Sequence, residues 1–119
     1  MHYMNTIAKH IPAPGSLVSV STSFLAITHY GIVTDRMRDG LPMIISCSRR
    51  RGMVAEESWS EFADGSEVSV VGSACTLPVW EVLGRARAEL GRGWDLFRFN
   101  CEHFVELAYG RRPQSRQPE

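Results

Sequence analysis

The chain has 119 residues, 44% of them apolar and 22% charged. That balance fits one globular domain with a single core and excludes a disordered chain, a fibrous repeat or two substantial domains. Thirteen basic residues offset thirteen acidic ones, so the broad positive field of a nucleic-acid binder is missing and no nucleic-acid partner is expected.

No apolar run approaches the roughly 20 residues that span a bilayer, so no transmembrane segment is expected. The opening MHYMNTIAKHIPAPG lacks the apolar core of a signal peptide. The three cysteines, Cys47, Cys75 and Cys101, are odd in number and lack the paired spacing of a zinc site. A reducing, cytoplasmic setting is expected.

Residues 1–12 read as an irregular N-terminal segment, closed by the turn formers Pro12, Pro14 and Gly15; the domain proper is expected over 13–117. Ser16 to Val20 and Phe24 to Thr34 are rich in Val, Ile, Thr, Tyr and Phe, as strands are. Asp35 to Pro42, with Asp39-Gly40 at its middle, predicts a turn, and Met43 to Ser48 a returning strand. Arg49 to Gly52 turns again. Its basic run reads as a solvated turn or, alternatively, as a contact for an anionic substrate or surface. Met53 to Phe62 is compatible with either element. Asp64-Gly65 turns once more and Glu67 to Val71 alternates as a strand, so the front half predicts a β-meander.

Beyond Pro78, the apolar positions Val79, Val82, Leu83, Ala86 and Leu90 recur at helical spacing, and Gly91 and Gly93 stop the pattern. Aromatic residues from Trp94 to Phe99 lead into Asn100, and Cys101 to Tyr109 predicts a second helix ending at Gly110.

The chemistry concentrates at that second helix. Asn100 is a favoured N-cap, which sets Cys101 at the first helical position. There the positive end of the helix and its unpaired amides favour thiolate over thiol. The same amides would address an oxyanion forming beside the sulfur. Cys101, Phe104, Val105 and Ala108 make one apolar stripe, with Glu102 and Glu106 on another face. A cysteine on such a stripe is either a nucleophile or an inert packing residue, and a base must decide between the two.

His29 supplies a candidate. Period two sets it on one face of its strand with Ile27, Gly31 and Val33, where a satisfied core histidine is the competing reading. A turn centred between residues 37 and 39 sets Ser46 or Ser48 opposite His29, where a hydroxyl would orient the imidazole. His2 and His10 lie in the irregular start. His103, two residues from Cys101 and nearly opposite it around a helix, reads as structural, and the same geometry rules out a zinc site made from the two. No metal or cofactor is expected.

The segment Asn100-Cys101-Glu102-His103-Phe104-Val105 resembles the signature of lecithin:retinol acyltransferase-like proteins, a circularly permuted branch of the papain-like thiol enzymes. His29-Tyr30-Gly31-Ile32-Val33 resembles the family's histidine strand, upstream of the cysteine as the permuted order requires. Pro14 to Val18 is similar to the family's first strand, Glu56 to Phe62 to its middle segment, and Gly110 with Ser115-Arg116-Gln117 to the end of bacterial members.

The resemblance implies an α+β fold, an antiparallel sheet against helices, with Cys101 as nucleophile and His29 as base. It implies a thioester acyl-enzyme whose acyl group passes to water or another acceptor. Where members carry a second histidine after the hairpin, this chain offers Ser46, expected as the third catalytic residue. The implied partner is an acyl-bearing substrate, a lipid ester or a peptide amide. Animal members attach to membranes by an apolar tail, and no such attachment is expected here. Two other readings stand beside it: a catalytically silent binding module, suggested by serine where the resemblance implies a histidine, and an assembly protein whose sheet edge pairs with another chain.

Overall fold

A computed structural model of the protein describes residues 11–21, 27–72 and 76–111. His2, His10, Cys75 and residues 112–119 lie outside the described residues, as does most of the expected irregular start. The strands are β1 (Leu17–Ser21), β2 (Thr28–Arg38), β3 (Leu41–Ser48), β4 (Met53–Glu57) and β5 (Ser69–Gly72). The helices are α1 (Trp59–Ala63), α2 (Val79–Ala88) and α3 (Cys101–Ala108).

The strands form one antiparallel sheet in the order β4-β3-β2-β1-β5. The chain therefore meanders from β1 to β4, and β5 returns to the free side of β1. The expected α+β class and the meander are both present.

The hairpin between β2 and β3 is longer than the sequence suggests. Asp35 to Arg38, expected in a turn, continue β2, and the reversal is made by Asp39 and Gly40 alone, at φ 55° and 80°. Two consecutive positive φ values give the primed turn whose twist matches the flanking strands. Polar, exposed residues here look like a loop, but a paired ribbon needs no burial to satisfy its backbone. Met37 pairs Pro42 and Val33 pairs Ile44, so four steps along β2 match two along β3, and a bulge shifts the register between them.

Both faces of the sheet are covered. On one, Val18, Val20, Val33 and Ile44 pack with Phe62 of α1. On the other, Ile32, Ile45, Cys47 and Val54 pack with Val82, Leu83 and Ala86 of α2 and Phe104, Val105 and Ala108 of α3. α1 explains the ambiguous stretch before it. Ser58 caps its start by accepting the Glu61 amide at 3.1 Å while the Glu61 carboxylate takes the Ser58 amide at 2.9 Å, a reciprocal pair that ends β4 and starts a helix within two residues.

Ion pairs pin these layers. Arg87 of α2 grips both oxygens of Glu56 at 3.2 and 3.1 Å and Asp35 at 2.6 Å. The basic run is the exposed turn expected of it, and it also carries ion pairs. Arg50 and Arg51 both reach the nearly inaccessible Glu57, at 3.2 and 2.9 Å, and Arg51 also pairs Glu61 at 2.8 Å. The run thereby clamps the β3–β4 turn to α1. The Tyr109 hydroxyl, just past α3, donates to the Gly15 carbonyl at 2.9 Å.

Candidate active site

The cysteine's helix begins as its sequence requires. The Asn100 side chain accepts the Glu102 and His103 amides at 3.0 and 3.2 Å, and Nδ1 of His103 accepts the Asn100 amide at 3.1 Å. His103 thus fills the place glutamate usually takes in a capping box, which is the structural role expected of it. Upstream, the Asp95 carboxylate accepts the Phe97 and Arg98 amides at 3.0 and 2.9 Å, and Asn100 Nδ2 donates to the Leu96 carbonyl at 3.1 Å. The turn ahead of Cys101 is therefore held from both sides. Glu106, on another face of the helix from that stripe, is buried next to Arg111 at 3.6 Å, because α3 is enclosed on more than its apolar stripe.

Cys101 is half-buried, and the backbone amides of Tyr30 on β2, of Cys101 itself and of Glu102 act on its sulfur. Those three donors pull the thiol toward ionisation, as a helix start should. Burial outweighs them, with the Glu102 charge acting in the same sense as burial, and the thiol pKa is raised. The thiolate anticipated from the helix start alone is thus replaced by a neutral thiol, because the sulfur is desolvated against the sheet.

The sulfur meets the sheet where it opens. The β1–β2 ladder runs on through His29 to Thr28, whereas the recorded β2–β3 pairing ends at Ile32 with Ile45. The Tyr30 amide lies beyond that last pair and turns to the sulfur. Cys47 flanks the same opening, its thiol donating to the Phe99 carbonyl at 3.8 Å.

His29 is the residue next to that amide, but alternation sends its side chain to the other face. Its ring lies 5.2 Å from the Phe62 ring, centroid to centroid. Gly31, two residues on, leaves room for this packing, since a Cβ there would stand 2.5 Å from Ile44 Cγ2 and 2.8 Å from Phe62 Cε1. Burial, and then the nearby Arg50 charge, lower the His29 pKa from 6.5 to about 4. The imidazole is neutral at physiological pH. Among the described residues no hydrogen bond joins it to Cys101.

The Ile32–Ile45 register, carried three residues toward the start of β2, sets Ser48 level with His29 and Ser46 level with Gly31. Ser46 is fully buried and its hydroxyl has no hydrogen-bond partner among the described residues. The Ser48 hydroxyl accepts the Arg51 amide at 3.2 Å. Of the expected trio, then, the fold brings Cys101 to the strand of His29 and both serines to the face of His29, without direct bonds among the three side chains.

Three contributors to this region escape a reading by local pattern: the Tyr30 amide, the Phe62 ring and Cys47. The Ser58–Glu61 spacing signals the helix that carries Phe62. No sequence signal marks a backbone amide that is left free by a splayed ladder. No helix among the described residues is long and apolar enough to cross a membrane.

No curated protein matches the chain. The family model described as lecithin retinol acyltransferase matches residues 10–113, which takes in the histidine strand, both serines and the whole cysteine helix. A match over that span, together with an α+β domain that has the cysteine at a capped helix start, identifies the chain as a member of the lecithin retinol acyltransferase family.

Proposed function

We propose that this protein is a cysteine-dependent acyl-transfer enzyme, acting within residues 13–117, with Cys101 as nucleophile, His29 as base and Ser46 as the group that orients the imidazole. The observation that carries the reading is the Cys101 sulfur at a helix start, met by three amides and adjacent along β2 to His29. Membership of an acyltransferase family agrees with it.

The resting pair is a thiol and a neutral imidazole, so His29 is in the form that accepts a proton. The reaction requires the His29 ring to turn away from Phe62 and reach the sulfur past the end of the β2–β3 pairing. The thiol proton passes to His29 as sulfur adds to the acyl carbonyl carbon. The oxyanion accepts the Cys101 amide at the positive end of α3. On collapse the ester or amide bond breaks, and His29 returns the proton to the departing alcohol or amine. An acceptor, water or a second alcohol or amine, then gives its proton to His29 and attacks the thioester, releasing Cys101 as thiol.

Ser46 suits the orienting place because its hydroxyl is buried on the His29 face and lacks another partner among the described residues. The substrate class is an acyl-bearing ester or amide, met in a reducing, cytoplasmic setting. Incubation with a p-nitrophenyl acyl ester tests the reading: one acyl mass should accumulate on Cys101, and Cys101→Ala should lose both the adduct and the turnover. Equal turnover by the two proteins would sink it. A silent binding module is the second reading, favoured by the separation of His29 from Cys101. It would show itself as ligand binding without any adduct.

A further inference from the structure

Cys47 is a buried nucleophile to which acyl transfer gives no role. It is wholly inaccessible on β3, on the sheet face covered by α3. Its thiol contacts the carbonyl of Phe99, two residues ahead of Cys101. The Ile32–Ile45 register, extended by two residues, sets Cys47 level with Tyr30, and the Tyr30 amide is the one that meets the Cys101 sulfur. Two thiols from distant parts of the chain therefore converge on one opening in the sheet.

We propose that Cys47 is the resolving thiol of an oxidative modification site, capturing a peroxide-oxidised Cys101 as an intramolecular Cys47–Cys101 disulfide. The oxidant is a hydroperoxide, hydrogen peroxide in the simplest case. The Cys101 sulfur attacks one peroxide oxygen, the O–O bond breaks, and the departing hydroxide takes up the thiol proton as water, leaving Cys101 as a sulfenic acid. The Cys47 sulfur then displaces the hydroxyl from that sulfenic sulfur. The S–S bond forms, the S–O bond breaks, and the Cys47 proton leaves with hydroxide as a second water. In sum, two thiols lose two electrons and one peroxide becomes two waters.

The order follows from access. Half-buried Cys101 is open to a small oxidant, whereas Cys47 is sealed from it and so stays reduced until its neighbour changes. The Cys47 thiol is pushed up to about 12, by burial first and by the Cys101 charge second. The disulfide blocks the proposed nucleophile, shields it from irreversible oxidation, and is reversible by the small thiols of a reducing compartment.

The test uses the full chain carrying Cys75→Ala, so that only the two thiols in question remain, and reads covalent chemistry alone, independently of acyl transfer. The dilute protein is treated with hydrogen peroxide, its remaining thiols are alkylated, and the unreduced digest is analysed by mass spectrometry. A monomeric Cys47–Cys101 cross-linked peptide should form and vanish after dithiothreitol. With Cys47→Ala added, the same peroxide dose should drive Cys101 to sulfinic and sulfonic acids instead. Over-oxidation of Cys101 with no cross-linked peptide in the Cys75→Ala protein would overturn the proposal, as would a cross-link found only between molecules. That protein decides by itself if Cys47→Ala fails to fold.

Discussion

Acidification from pH 7 to pH 4 should destabilise the fold through His29. In the unfolded chain this imidazole titrates at its ordinary 6.5, and in the folded protein at about 4. Between those values the unfolded chain binds a proton that the folded one refuses, so stability rises with pH across the window. The contribution is complete above 6.5 and is lost progressively as pH falls toward 4. Each tenfold in proton affinity is about 1.4 kcal/mol, so the gap is worth at most about 3 kcal/mol. That is a large share of a typical domain stability of about 5–15 kcal/mol. The carboxylates of Asp35, Glu56, Glu61 and Asp95 are all held below their ordinary values, so their losses come lower on the pH scale. Urea unfolding at pH 7, 6, 5 and 4.5 should show the wild type weakening, while His29→Phe, which keeps a ring against Phe62, stays nearly flat. Parallel losses in the two proteins would refute the reasoning. So would an NMR titration placing His29 near 6.5.

Other perturbations probe the neighbouring contacts. Gly31→Ala drives a methyl into Ile44 and Phe62 and should cost about 1–3 kcal/mol, lowering Tm by several degrees; an unchanged Tm would contradict the packing described. Ser46→Ala removes an unpartnered buried hydroxyl, so stability should hold or rise slightly while kcat falls if that hydroxyl orients His29. A fall in kcat for Ser48→Ala instead would move the orienting role to the residue level with His29. Arg87→Met strips Glu56 and Asp35 of their shared partner but leaves Arg36 3.5 Å from Glu56. A loss of about 2 kcal/mol is expected, below the 3–5 kcal/mol of a fully orphaned buried charge. Chemical denaturation of Arg87→Met, and of Arg87→Met with Glu56→Leu, checks this, since the double variant should recover part of the loss.

What the sequence by itself determined is local. Asn100 before Cys101, Pro78 before α2 and the glycines after both helices act within one helical turn, so the helix starts and ends were legible. The alternation of Val, Ile and Thr marked β1, β2 and β3, and the motifs around His29 and Cys101 pointed to the family. Only tertiary structure decided what depends on partners far along the chain. The bulge in β2 sets Ser48 level with His29, where the register at the hairpin end would have set Arg50, because register is a property of two strands. The covering of both sheet faces turned His29 toward Phe62 and buried Glu106, since a strand's alternation says which residues share a face but not what covers it. The ionisation of Cys101 was decided in the same way. The pull of the helix start is written in Asn100-Cys101, while the desolvation that exceeds it exists only once α3 is packed against an opened sheet.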